Sequence, residues 1–126
     1  MIKFENVSVT YPGGVEALKD LNLEIKDGDF IIIVGLSGAG KSTLLRTVNN
    51  LVKPSTGSVY LEGKNVTSAK KKELKKIRSQ IGMIFQTFNL VNRSTVLKNV
   101  LTGRLSNIST IRSVSYTHLR AHETDR

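Results

Sequence analysis

Asp29-Phe30-Ile31-Ile32-Ile33-Val34-Gly35-Leu36-Ser37-Gly38-Ala39-Gly40-Lys41-Ser42-Thr43-Leu44-Leu45 is the stretch on which the reading of this 126-residue chain turns. An all-apolar β-branched run predicts a buried strand, the glycines a turn, and the apolar-periodic residues after Lys41 a helix. The turn fits G-x-x-x-x-G-K-[ST], the phosphate-cradling P-loop. Gly35, Gly38 and Gly40 allow backbone geometry that a Cβ would obstruct, so successive N–H groups can converge on an anion. The helix N-terminus adds its dipole and its unpaired N–H groups at the same place. Lys41 is then placed to reach the β- and γ-phosphates as a point charge, and the Ser42 hydroxyl to sit on Mg²⁺. A loop that is merely rich in glycine needs neither the strand before it nor the helix after it. The stretch reads as a nucleotide site.

Length and composition bound what such a site can serve. The chain is expected to form one domain at most, short for a complete nucleotide hydrolase. Without cysteine there is no disulfide framework, thiolate zinc site or thiol chemistry. Met1-Ile2-Lys3-Phe4-Glu5 lacks a signal-peptide pattern, and no apolar run approaches the roughly 20 residues that span a bilayer. Contact with a membrane is therefore expected to go through a partner.

Charge is distributed unevenly. Residues 1–62 carry six Lys/Arg against seven Asp/Glu, and residues 63–126 carry thirteen against three. Much of the excess lies in Lys70-Lys71-Lys72-Glu73-Leu74-Lys75-Lys76-Ile77-Arg78, where Leu74, Ile77 and Ile81 recur at helical spacing. The segment reads as a short helix with one apolar stripe. Its basic outer face is either a patch for nucleic acid or anionic membrane, or a solvated helix surface. No aromatic residue is interleaved with the lysines, which weakens a single-strand stacking role.

In chain order, Ile2 and Phe4 alternate with polar residues, then Val7, Val9 and Tyr11 do so with the opposite parity, which places a bulge at Asn6. Tyr11-Pro12-Gly13-Gly14 is a turn, and Leu21, Leu23 and Ile25 share one face of a second strand. After the P-loop, Leu44, Leu45, Val48, Leu51 and Val52 are expected on the inner face of a helix that Lys53-Pro54-Ser55-Thr56-Gly57 stops. Ser58–Glu62 reads as a strand followed by a turn at Gly63-Lys64-Asn65. Ile81–Phe85 reads as a core strand, and 95–101 as a helix capped by Ser94 or Thr95. The expected fold class is α/β.

These residues carry a resemblance. Tyr11, the loop from Gly35 to Thr43, Pro54-Ser55-Thr56-Gly57 and Ile84-Phe85-Gln86 resemble, in order and spacing over residues 1–112, the ATP-binding cassette (ABC) transporter ATPase. Within it, Met83–Val91 followed by Val96–Leu105 looks most like the ATPase subunit of phosphonate importers. The resemblance implies a P-loop NTPase of ABC-ATPase type: a RecA-like core with an N-terminal antiparallel β-subdomain, truncated before the helical subdomain. It implies ATP and Mg²⁺ held by Gly35, Leu36, Ser37, Gly38, Ala39, Gly40, Lys41, Ser42 and Thr43, with Tyr11 as the aromatic that stacks on adenine. Gln86 matches the glutamine that touches Mg²⁺ and the attacking water, so Lys41 and Gln86 are the catalytic candidates, and Ser42 and Gln86 the metal candidates. Implied partners are transmembrane permease subunits, a second ATPase subunit in a homodimer and, indirectly, an external binding protein, with no nucleic acid. The implied location is peripheral, on the cytoplasmic face of a bacterial membrane.

The sequence departs from that family downstream. It has no L-S-G-G-Q signature, no Walker B strand ending in Asp-Glu and no switch histidine. His118 and His122 are spaced i, i+4, but no further ligands are placed for a metal. Residues 113–126 look like translated adapter read-through, a non-native tail after a native match ending near Arg112. The expected unpaired edge beside the Ile/Val strand predicts a marginal or insoluble fragment. Three function classes stay open at this level: an ATP-hydrolysing import subunit (for phosphonates or another small solute), a non-transport ABC ATPase, and an inactive truncated product.

Overall fold

The parity switch at Asn6 shapes the first strand of the computed structural model, which describes residues 1–85 and 90–103. Strand β1 runs Ile2–Thr10 and β2 Glu16–Ile25, followed by helix α1 at Lys41–Val48, β3 at Thr56–Leu61, β4 at Lys64–Asn65, α2 at Lys71–Arg78 and α3 at Val96–Thr102. Asn6 takes a left-handed φ of 48°, and the β1–β2 register breaks between Phe4 and Val7. The bulge turns Phe4, Val7 and Val9 to the same buried side. Its polar groups are satisfied across the strand pair: the Asn6 N–H donates to Asn22 Oδ1, and its side-chain amide donates to Asp20 Oδ1.

The sheet is antiparallel throughout, in the order β2-β1-β3-β4. Lys64 and Asn65, expected within a turn, instead form β4 opposite Leu61 and Tyr60. Glu62 and Gly63 make the connection with φ of 48° and 73°, the paired positive angles of a two-residue hairpin. One face of the sheet buries Phe4, Val7, Val59 and Leu61, and Leu44 of α1 and Ile77 of α2 pack into the same cluster with Val66.

Several expectations need correction. Phe30–Val34 is not a buried strand: it has no strand partner among the described residues, and Phe30, Ile32 and Val34 are 88%, 71% and 84% exposed. Ile81–Phe85 is likewise not a strand, with Ile84 fully exposed. Both runs have β propensity, but a strand exists only through its hydrogen-bonded neighbours. Helix α1 ends at Val48 rather than near Val52. Asn50 adopts φ 55°, the Leu51 N–H reaches back to the Arg46 carbonyl and the Asn50 N–H to that of Thr47, a Schellman closure. The inner face of α1 is also rotated from the expected one. Thr43, Leu44 and Thr47 are buried while Leu45 is exposed, and the Thr47 hydroxyl is satisfied by donating to the Leu44 carbonyl.

The chain divides into two compact units, Met1–Gly82 and Met83–Arg126. In the second, the Thr95 hydroxyl caps α3 by accepting from the Lys98 N–H at 3.3 Å. Gln86, His118, His122 and the suspected tail lie outside the described residues.

Candidate functional site

The P-loop sits between the exposed 30–34 segment and α1, within the first unit. Its turn is made by Gly38 and Gly40, at φ 81° and 82°. Gly40 is required twice over, because a Cβ there would lie 2.2 Å from the Ala17 carbonyl oxygen of β2 as well as demanding a left-handed backbone. The close approach of β2 therefore fixes where the loop enters α1. A Cβ on Gly38 would meet open space, so only its φ demands glycine. Gly40 is the N-cap of α1 and accepts from the Leu44 N–H at 2.8 Å, with no side chain capping the helix. The first-turn N–H groups of such a helix have no intrahelical acceptor, and with no acidic residue in that turn they form a site suited to an anion.

Lys41 curls back over this loop. Its ammonium donates to the carbonyl oxygens of Gly35 at 2.7 Å and Leu36 at 2.5 Å. These partners are neutral, so they hold the side chain over the loop without cancelling its charge. Ser42 is exposed beside it, its hydroxyl free of the core that Thr43 and Leu44 enter. Ser37 and Ala39 lie on the exposed rim of the turn, which the Ala39 N–H closes onto the Leu36 carbonyl at 3.2 Å.

Tyr11 is brought to the same helix from the end of β1. Its N–H donates to the Val15 carbonyl and its own carbonyl accepts from Gly14, which closes the turn predicted at Tyr11–Gly14. The phenol oxygen then lies 3.0 Å from Thr43 Oγ1, in the first turn of α1. Tyr11 itself is 36% exposed. The structure thus brings together Tyr11 and Gly35–Thr43; Gln86 lies outside the described residues. No group of three or more His, Cys, Asp or Glu that could hold a metal occurs among the described residues.

Two contributors escaped sequence reasoning. Ala17 and Leu18 back the loop at Gly40, and nothing in an alternating strand marks that contact. Arg78 of α2 closes the far end of α1, donating to the carbonyls of Asn49 at 2.9 Å and Asn50 at 3.1 Å. Its place in a lysine-rich run hid this role.

Comparison with known proteins identifies the family. The family model described as ABC transporter matches residues 18–125. The phosphonates import ATP-binding protein PhnC 3 of Halalkalibacterium halodurans is 52% identical over 114 residues, covering 90% of this chain and 44% of that protein. The PhnC of Bacillus thuringiensis subsp. konkukian is 57% identical over 113 residues, with the same coverage. Among solved structures, a dimeric ATP-binding cassette in a post-hydrolysis state bound to ADP and Pi superposes with a TM-score of 0.75 at 40% identity, covering 89% of this chain and 52% of that one. The chain spans less than half the length of the curated relatives it matches.

Proposed function

The chain belongs to the ABC transporter family, and from that premise we propose that it is the nucleotide-holding part of the ATP-binding subunit of a phosphonate importer. The observation that carries this reading is the identity of 52–57% with phosphonate import ATP-binding proteins over a stretch that contains the P-loop sequence and the helix α1 that follows it. Loop N–H groups and the N-terminus of α1 bind the phosphates of ATP, and Lys41 exchanges its loop carbonyls for phosphate oxygens. Tyr11 offers its exposed face to the adenine ring. Mg²⁺ supplies charge neutralisation between the phosphates when bound; Ser42 is the described residue to hold it, and Gln86 the second candidate by its resemblance.

In this reading the whole subunit hydrolyses ATP and couples it to transport, paired with a second ATPase subunit and seated on permease subunits at the cytoplasmic membrane face. An external binding protein acts through those permeases. The stretch alone has the groups that hold ATP and lacks the Walker B and signature residues that act on it, so it binds nucleotide without turning it over. Residues 113–126 are proposed to be foreign to the native frame, although the family match runs through residue 125.

A chimera tests the reading. Residues 1–112 replace the corresponding part of the Bacillus thuringiensis relative in a strain whose own copy is deleted. Growth on a phosphonate as sole phosphorus source is expected, with loss on Lys41→Ala. A chimera that folds and hydrolyses ATP yet supports no phosphonate growth would overturn the substrate assignment.

A further inference from the structure

The basic segment singled out in the sequence is not used by the nucleotide site. Between Lys64 and Lys76 stand six lysines and one acidic residue, Glu73. Helix α2 forms here, turns Ile77 and Leu74 into the core, and leaves Lys70, Lys71, Lys72, Lys75 and Lys76 exposed. Lys64 arrives from β4, and with Lys70, Lys72, Glu73 and Lys76 it rims a shallow concavity of about 380 Å³. No ion pair engages these lysines among the described residues. The only arginine of the helix, Arg78, is committed to the carbonyls of Asn49 and Asn50.

We propose that this face of α2 and β4 is a docking surface for an anionic lipid bilayer. Charge complementarity argues for an anionic partner, and the form of the patch selects the bilayer. The helix is eight residues long, about 12 Å. It offers no aromatic platform for bases and no free guanidinium fork for bidentate readout. Hydrated ammonium point charges, free to move on flexible stems, match a fluid layer of headgroups rather than one fixed geometry. The patch exposes no large apolar side chain, so it adsorbs electrostatically without inserting, and its attraction decays over a Debye length of about 10 Å at 0.1 M salt. Each lysine at such a surface is worth roughly fivefold in partitioning.

The test is co-sedimentation of the 126-residue chain with vesicles of phosphatidylcholine alone or with 30% phosphatidylglycerol. Binding is expected only to the anionic vesicles and is lost in 0.5 M NaCl. The triple variant Lys72→Gln, Lys75→Gln, Lys76→Gln is expected to lower partitioning on the order of a hundredfold. The control pair Lys26→Gln, Lys53→Gln, exposed elsewhere on the first unit, should leave it near the parent value. Circular dichroism of each variant verifies that the fold is retained. Equal binding to neutral vesicles, an unchanged triple variant, or binding to duplex RNA in place of vesicles under the same salt would each overturn the proposal.

Discussion

Replacing Gly40 with alanine should harm this protein far more than the same change at Gly38, two residues away in the same loop. Both glycines have φ near 81°, so both variants bear the left-handed penalty of roughly 1–2 kcal/mol. At Gly38 that is the whole effect, because the new methyl meets open space. At Gly40 the methyl would sit 2.2 Å from the Ala17 carbonyl oxygen, roughly 1 Å inside an ordinary C···O contact. That oxygen belongs to β2, which the β1 ladder holds in place, so the loop must yield instead. Overpacking of this kind costs about 1–3 kcal/mol, which brings Gly40→Ala to about 2–5 kcal/mol. A unit of this size has only about 4–12 kcal/mol to lose. Urea denaturation followed by circular dichroism measures the two variants against the parent, and displacement of a fluorescent ATP analogue measures the site. The prediction is a clear separation, with Gly40→Ala at least 1 kcal/mol below Gly38→Ala on the same overpacking argument. Equal stabilities would show that β2 does not pin the loop and that the loop is not a fixed phosphate cradle.

Other consequences follow from single contacts. Arg78→Met removes two donors from the C-terminus of α1 and should lower stability by about 1–2 kcal/mol, read from the urea midpoint. An unchanged midpoint would show that the Schellman closure suffices. The open face of Phe30, Ile32 and Val34 should make the parent chain associate as concentration rises, and Ile32→Lys should suppress this in light scattering without changing the thermal midpoint. A monodisperse parent chain with a cooperative transition and a dispersed NMR spectrum would contradict it. Lys3 Nζ lies 2.6 Å from Glu5 Oε1, a contact that lowers the Glu5 carboxyl from its ordinary 4.5 and raises Lys3 from 10.5. The stabilisation is then fully present between those values, lost as pH falls through the lowered Glu5 value or rises through the raised Lys3 value. Glu5→Gln should shift the urea midpoint slightly at pH 7, and the shift should vanish at pH 2 and in high salt.

What the sequence disclosed was what local chemistry controls. Asn6 announced its bulge through a parity switch, Tyr11–Gly14 its turn, and Gly38 and Gly40 the left-handed backbone that leads into α1. What it concealed depends on partners distant in the chain. The Ile/Val run at 30–34 has strand propensity, yet pairing is a property of two segments, and no partner is present among the described residues. Asn50 ended α1 before Leu51 and Val52 because an asparagine tolerates the left-handed closure that apolar periodicity ignores. Thr47, a polar residue outside the apolar set expected to face inward, enters the core because its hydroxyl finds an acceptor within its own helix, at the Leu44 carbonyl. Arg78 looked like one more cation in a basic run, although its fork links α2 to the helix that carries the nucleotide site.

Lys41 and the N-terminus of α1 are proposed to hold the phosphates of ATP. Equilibrium binding of ATP to the parent chain and to Lys41→Ala tests it most directly, with adenosine as the phosphate-free control. Measurable ATP binding to the parent, none to the variant and no dependence of adenosine on Lys41 is the predicted result. Equal ATP affinity in parent and variant would contradict it.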